Sequence, residues 1–318
     1  MTPYGYREQQ ILADGTYLSN MPPRIPLLKE LGIADGSRIL RDRRADWLED
    51  ETKYPPGSIL KVMNRRVSES GLEYCDVKVD YYRLMGVEEK LSFWLGTDQM
   101  GRDIWSRLWR GTRTTLMIAL LAAAVELAFG ILYGAVAGYF GKTTDLLMMR
   151  LCEIIRALPG VVTASLLIMA LGSGAFSMIL ALALRGWVGI AQLTRAQVLR
   201  CREQEFVLAS RTMGASHGRL IFRHILPNSW GSLITAGLLA IPSAVFTESF
   251  LAYIGLGIPA PESSLGTLLS GAWPVLDLYP YQTLFPALVL SLLMGAFTML
   301  AGSLRRALDP NGRGQSPA

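Results

Sequence analysis

The chain has 318 residues and a formal net charge of +5; 51% of the residues are hydrophobic and only 18% charged, against roughly 25% charged in an ordinary soluble domain. Residues 1–95 carry 14 basic and 15 acidic side chains, whereas the remaining 223 carry 17 and 11 together with the long apolar runs. That division excludes a soluble enzyme built on one core and reads as a polar N-terminal segment joined to a polytopic membrane domain.

In chain order, the polar segment 1–95 comes first. Pro22, Pro23 and Pro26 favour an extended link. Cys75, Val77, Val79 and Tyr81 alternate with Asp76, Lys78 and Asp80, which predicts a strand. The segment is expected to form a small extracytoplasmic α+β module, with a partly disordered loop as the alternative. Residues 96–113 hold four arginines between Arg102 and Arg113, with Ile104, Trp105, Leu108 and Trp109 on one helical face. This pattern predicts a separate interfacial amphipathic helix.

Five spans are expected in a membrane domain over 114–304. Residues 116–140 form the first, with Glu126 as its one ionisable group; at about 1.5 Å per residue it crosses a hydrocarbon core of about 30 Å. The second is predicted from near Thr144 to Leu171, the third from Phe176 to about Leu193 around Arg185. The fourth runs from Gly231 to Leu256 around Glu248, and the fifth, uncharged, from Thr283 to Gly302. The links 172–175 and 257–282 contain no Lys or Arg, whereas 141–150, 195–223 and the tail 305–318 together contain eleven. The positive-inside bias therefore predicts a cytoplasmic 195–230 loop and C-terminus, with residues 1–113 outside. No apolar segment precedes residue 95 to carry the polar region across. A first membrane helix is accordingly expected to be missing from this chain, through truncation or a misassigned start.

Three scattered cysteines and two histidines, His217 and His224, offer neither a disulfide framework nor a metal set. Gly141-Lys142-Thr143 lacks the upstream glycine of a phosphate-binding loop, since that position is Val136. No nucleophile elbow, zinc motif or paired carboxylates occur, so no covalent chemistry is expected and a membrane-embedded enzyme has no machinery to run on. Gly130, Gly134 and Gly138 form two overlapping GxxxG units, for packing inside the chain or against a second subunit. Glu126, Arg185 and Glu248 all fall at mid-span depths, where they predict either a structural ion pair or the polar lining of a translocation path.

The stretch from Arg195 to Trp230 is predicted as two short arginine-rich helices outside the membrane. The first ends at Gly214 and the second is capped by Ser216 and runs through Arg223, with Pro227 opening the next span. An ordinary solvated loop is the bland alternative.

ASRTMGAS followed by RHILPN in this stretch resembles the EAA loop of permease subunits of ATP-binding-cassette importers. LGTDQMGRDIWSRLWRGTR (95–113), ESFLAYIGLGI (248–258) and LRRALDP (304–310) resemble signatures of the dipeptide/oligopeptide/nickel branch. The resemblance implies an all-α polytopic membrane protein of the type I importer permease fold in the plasma membrane. It implies that Glu205, Ala209, Gly214, Ala215, Arg219, Leu226 and Pro227 form an ATPase-coupling loop. The partners implied are a second homologous permease, two ATP-binding subunits that hold the ATP and Mg, an extracytoplasmic substrate-binding protein and the lipid bilayer, with no nucleic acid. Peptides are the expected cargo. A nickel permease of the same family and a degenerate, non-transporting scaffold are the alternatives. Leu208 stands where the loop's glutamate usually is, Ser210 replaces its second alanine, and Gln192 sits where an arginine is common.

Overall fold

Alternation of apolar and polar residues builds a sheet in the N-terminal region. The computed structural model describes residues 4–12, 14–27, 34–87 and 91–308. Among these, β1 (Ser37–Arg44), β2 (Ile59–Val67) and β3 (Glu73–Asp80) form an antiparallel sheet in the order β1-β3-β2. The predicted strand is the central one, and its Cys75, Val77 and Val79 are buried. Tyr81 departs from the prediction: it opens a helical turn, Tyr81–Leu84, because the Asp80 carboxylate accepts the N–H groups of Tyr82 and Arg83. Both edge strands slip register, β1 between Leu40 and Arg43 and β2 between Met63 and Arg66. Within each slip one residue, Asp42 or Asn64, takes a left-handed backbone at φ 51° or 47°, which short polar side chains tolerate best after glycine. Asp76 ties the two slips together, accepting the Asp42 N–H at 3.1 Å and the Asn64 amide at 2.8 Å. The Asn64 amide, helped by the Asp42 N–H, holds the Asp76 carboxyl below the usual carboxylate range.

The chain divides into two compact units. The first comprises residues up to Gly111 with Pro261–Ser263 and Leu268–Leu288. Besides the sheet it has a core of Leu18, Met21, Tyr82, Val87 and Phe93, in which the Tyr82 hydroxyl donates to the Pro22 carbonyl at 2.9 Å. The LGTDQMGRD motif is a helix entry within this unit. Asp98 accepts the N–H groups of Met100 and Arg102 at 2.8 and 2.9 Å and pairs with the buried Arg107. Asp103 then accepts the Ser106 N–H at 2.9 Å as the N-cap of α1 (Ile104–Phe140).

The separate helix expected over 96–113 does not form. Its residues from Ile104 onward are the opening turns of α1, a single helix of 37 residues. No proline interrupts the run and Gly111 alone costs only about 1 kcal/mol, too little to break a helix of that length.

The second unit, Thr112–Ala260 with Ser264–Thr267 and the residues from Val289 onward, contains the apolar helices. After α1 come α2 (Lys142–Ala157), α3 (Gly160–Leu171), α4 (Ala175–Cys201), α5 (Glu205–Thr212) and α6 (Leu226–Leu251). The link expected over 257–282 contains a helix, α7 (Leu265–Ala272), and α8 (Pro280–Leu308) ends the described chain. Arg313 and residues 309–318 of the predicted tail lie outside the described residues.

Four helical segments are long and apolar enough to cross a membrane, and a fifth span results where α2 and α3 count as one. That second span is not the single helix predicted from Thr144. It bends by 87° between α2 and α3, because Pro159 donates no N–H and disfavours helical backbone at Leu158, which is extended at φ −70° and ψ 134°. The third span runs on to Cys201, eight residues past its predicted end at Leu193. The core of this unit gathers Ile118, Ala122, Ala164, Met178, Ile241 and Val245 from four helices.

Candidate functional site

The three glycines of α1 face α4. A Cβ built on Gly130 would meet Ile190 Cβ at 2.7 Å, one on Gly134 the Ala191 carbonyl oxygen at 2.2 Å, and one on Gly138 the Arg195 carbonyl oxygen at 2.9 Å. The absent side chains bring the two backbones into contact, the arrangement that stabilises helix pairs in lipid. The pair is also pinned where Arg202 Nη1 donates to the Gly138 carbonyl at 3.0 Å, and α2 joins it through Arg195 and Asp145.

The three intramembrane ionisable residues do not meet, and the predicted ion pair is not formed. Among the described residues no salt bridge joins Arg185 to Glu126 or Glu248. Equal depth along a helix fixes height but not azimuth, and the side chains turn different ways. Glu248 is fully buried and accepts the Thr115 hydroxyl at 3.0 Å. Glu126 and Arg185 instead line a cavity of about 700 Å³ among α1, α3, α4 and α6. Its other walls are small or apolar, including Gly160, Gly186, Gly189 and Ser243.

After α4 the chain forms a hairpin. Gly214 ends α5 at φ +84°, with its N–H bonded to the Arg211 carbonyl at 3.0 Å and the Ala215 N–H to the Ser210 carbonyl at 3.1 Å, a Schellman closure. A Cβ at Gly214 would meet nothing within 4 Å, so the backbone angle and not crowding calls for glycine. Ser216 stands at the next N-cap but makes no side-chain cap bond, a departure from its predicted role. The second short helix does not stop at Arg223 either. A turn at His217–Arg219 passes through a π-helical turn, Leu220–Ile225, directly into α6. The wide turn lies just ahead of Pro227, which has no N–H to give the Arg223 carbonyl.

The hairpin is anchored by Val207, Leu220, Ile225 and Leu226, packed with Tyr139 and Val198. The Tyr139 hydroxyl and His217 Nδ1 lie 2.7 Å apart. Of the predicted coupling residues, Glu205, Ala209, Gly214, Arg219 and Pro227 are exposed, Ala215 is half-buried, and Leu226 belongs to the core. Sequence reasoning missed the apolar surface beside them: Phe206, Leu208 and Met213 are 41%, 45% and 81% exposed. The signal was present, since three large apolar residues in a polar hairpin need either a core or a partner.

Long apolar helices packed through glycines, with a rigid hairpin presenting apolar and basic side chains, define an integral membrane permease. The chain belongs to the family described as binding-protein-dependent transport system inner membrane component, matched over residues 130–313. It is 43% identical over 217 residues to the oligopeptide transport system permease protein OppC of Bacillus subtilis (strain 168), covering 68% of this chain and 71% of that one. It is 42% identical over 218 residues to the dipeptide transport system permease protein DppC of the same strain, covering 68% of each. Among solved structures, the MetNI methionine ABC transporter in inward-facing conformations shares the fold at 18% identity, with a TM-score of 0.55 over 65% of this chain and 98% of that chain. The motif resemblance is thereby borne out: this is a multi-pass inner-membrane transport subunit of the peptide permease group.

Proposed function

We propose that this chain forms half of the translocation path of an ATP-driven importer of di- or oligopeptides, beside a second homologous permease. Two separate ATPase subunits bind ATP and Mg and grip the hairpin of residues 195–230 on the cytoplasmic side, where the C-terminus also lies. Residues 1–113 lie outside, on the side from which an extracytoplasmic binding protein delivers cargo. The names of the two peptide permeases to which this chain is 43% and 42% identical support peptides as the cargo. The observation that carries the reading is the hairpin itself: Phe206, Leu208 and Met213 are exposed on an element whose base is locked into the core by Val207, Leu220 and Ile225. Such an element passes a force applied at its tip into α6 without first unfolding, which coupling between two sites requires.

The test is a reconstituted complex in proteoliposomes, read for ATP hydrolysis and for uptake of a labelled peptide. Gly214→Val, which forces a β-branched residue into a left-handed backbone at a cost of about 1–2 kcal/mol, is expected to lower uptake at least tenfold while the protein still inserts in the membrane. Uptake equal to wild type would refute the hairpin's role. Orientation is checked with a Met213→Cys variant, expected to react with an impermeant maleimide only from the cytoplasmic face.

A further inference from the structure

Glu126 is an unusual acid for a membrane helix. It is 6% exposed, yet among the described residues it has no hydrogen-bond partner and no cation within salt-bridge distance. The chain makes room for it: a Cβ at Gly186 would fall 2.0 Å from Glu126 Cδ, so only glycine there lets the carboxylate lie where it does. The residue before Gly186, Arg185, is nearly as unoccupied. One of its guanidinium nitrogens donates to the Arg156 carbonyl at 3.3 Å, and a Cβ at Gly160 would fall 2.4 Å from another. Two glycines thus seat two opposite charges on the wall of one cavity of about 700 Å³ without letting them neutralise each other.

Leaving charges unpaired at this depth is costly unless something pairs them in turn. The carboxylate lies against the backbone of residue 186, whereas the guanidinium reaches Gly160 and the Arg156 carbonyl, so the two are too far apart for an ion pair. An extended dipeptide reaches about 7 Å at ~3.3–3.6 Å per residue, and its own ends carry the complementary charges.

We propose that Glu126 and Arg185 form a transient binding site for a zwitterionic peptide inside this permease, Arg185 receiving the terminal carboxylate and Glu126 the terminal ammonium. The small residues between them leave the side chains of the cargo unread, so the site holds the ends that every short peptide shares. The inference rests on the peptide reading above.

The experiment uses the assembled transporter in nanodiscs without its binding protein, with dialanine as probe in saturation-transfer NMR. Wild type is expected to give a dialanine signal that falls at least threefold for the C-terminal amide and for the N-acetyl derivative. Arg185→Met is expected to lose the discrimination against the amide, and Glu126→Gln the discrimination against the N-acetyl form; Arg185→Lys and Glu126→Asp are expected to restore part of each. A melting temperature for every variant identifies one that has failed to fold, in which case the conservative partner supplies the comparison. Equal signals for all three peptides in wild type overturn the proposal, as do Met and Gln variants that discriminate as wild type does. Labelled-peptide uptake by the complete transporter, measured separately, tests the peptide reading: uptake without dialanine discrimination sinks this site alone, and no uptake sinks the reading beneath it.

Discussion

Replacing Gly134 by alanine perturbs the α1–α4 contact at its tightest point. The new Cβ would lie 2.2 Å from the Ala191 carbonyl oxygen, a backbone atom with no rotamer to escape by. The two helices must part locally by about 1 Å to restore van der Waals contact. Overpacking of this kind costs about 1–3 kcal/mol, offset by the gain of about 1 kcal/mol that alanine brings to a helix interior. At Gly295 in α8 a Cβ meets nothing within 4 Å, so Gly295→Ala retains the propensity gain alone. The expected order of stability is Gly295→Ala above wild type and Gly134→Ala below both. Gly130→Ala and Gly138→Ala fall between Gly134→Ala and wild type, because their closest approaches are 2.7 and 2.9 Å. Unfolding in mixed micelles titrated with SDS, followed by tryptophan fluorescence, measures the series. A Gly134→Ala variant as stable as Gly295→Ala would show that the backbones are not in contact there.

Asp98→Ala leaves the buried Arg107 guanidinium without its carboxylate and is expected to destabilise the N-terminal unit by about 3–5 kcal/mol, read by limited proteolysis of the intact chain; a loss below about 1 kcal/mol would refute the pairing. The depressed Asp76 carboxyl gives stability that is present above the ordinary aspartate value of about 3.9 and lost as pH falls below it through the folded value. Amide protection over residues 73–80 should therefore drop on acidification by more in wild type than in Asp76→Asn, and equal drops would contradict the bonds to Asn64 and Asp42. Spin labels at the exposed Leu147 and Leu166 are expected to report a backbone separation of about 20 Å, set by the bend at Pro159, and not the ~28 Å of a straight helix.

The strand at 73–80 was legible because one face is buried, which stamps a period of two on the sequence. The hairpin was legible at Gly214, where one residue type meets one backbone requirement. Azimuth was not legible. Glu126, Arg185 and Glu248 share a depth, but which neighbour each faces depends on how α1, α4 and α6 are rotated, and that is decided by distant contacts such as Gly134 on Ala191. The partner of the glycine stripe was hidden for the same reason, since small residues announce a close approach without naming what approaches. The continuity of α1 was obscured by charge, because four arginines suggest an interface while the backbone needs only the absence of a breaker. At Pro159 the breaker was in plain view, between a charged helix and an apolar one too short at 12 residues to cross by itself.

Two wide turns bound α6, one at Leu220–Ile225 and the other at Ala252–Leu256, where Gly255 has φ 92°. Between them lie 26 residues of helix with Pro242 in its interior, a shaft of about 39 Å. Pro242 gives no N–H to the Leu238 carbonyl, so the shaft has one weakened joint before it reaches the second turn. The π-helical turn, Pro242 and Gly255 thus divide the axis that begins at the hairpin into unequal segments.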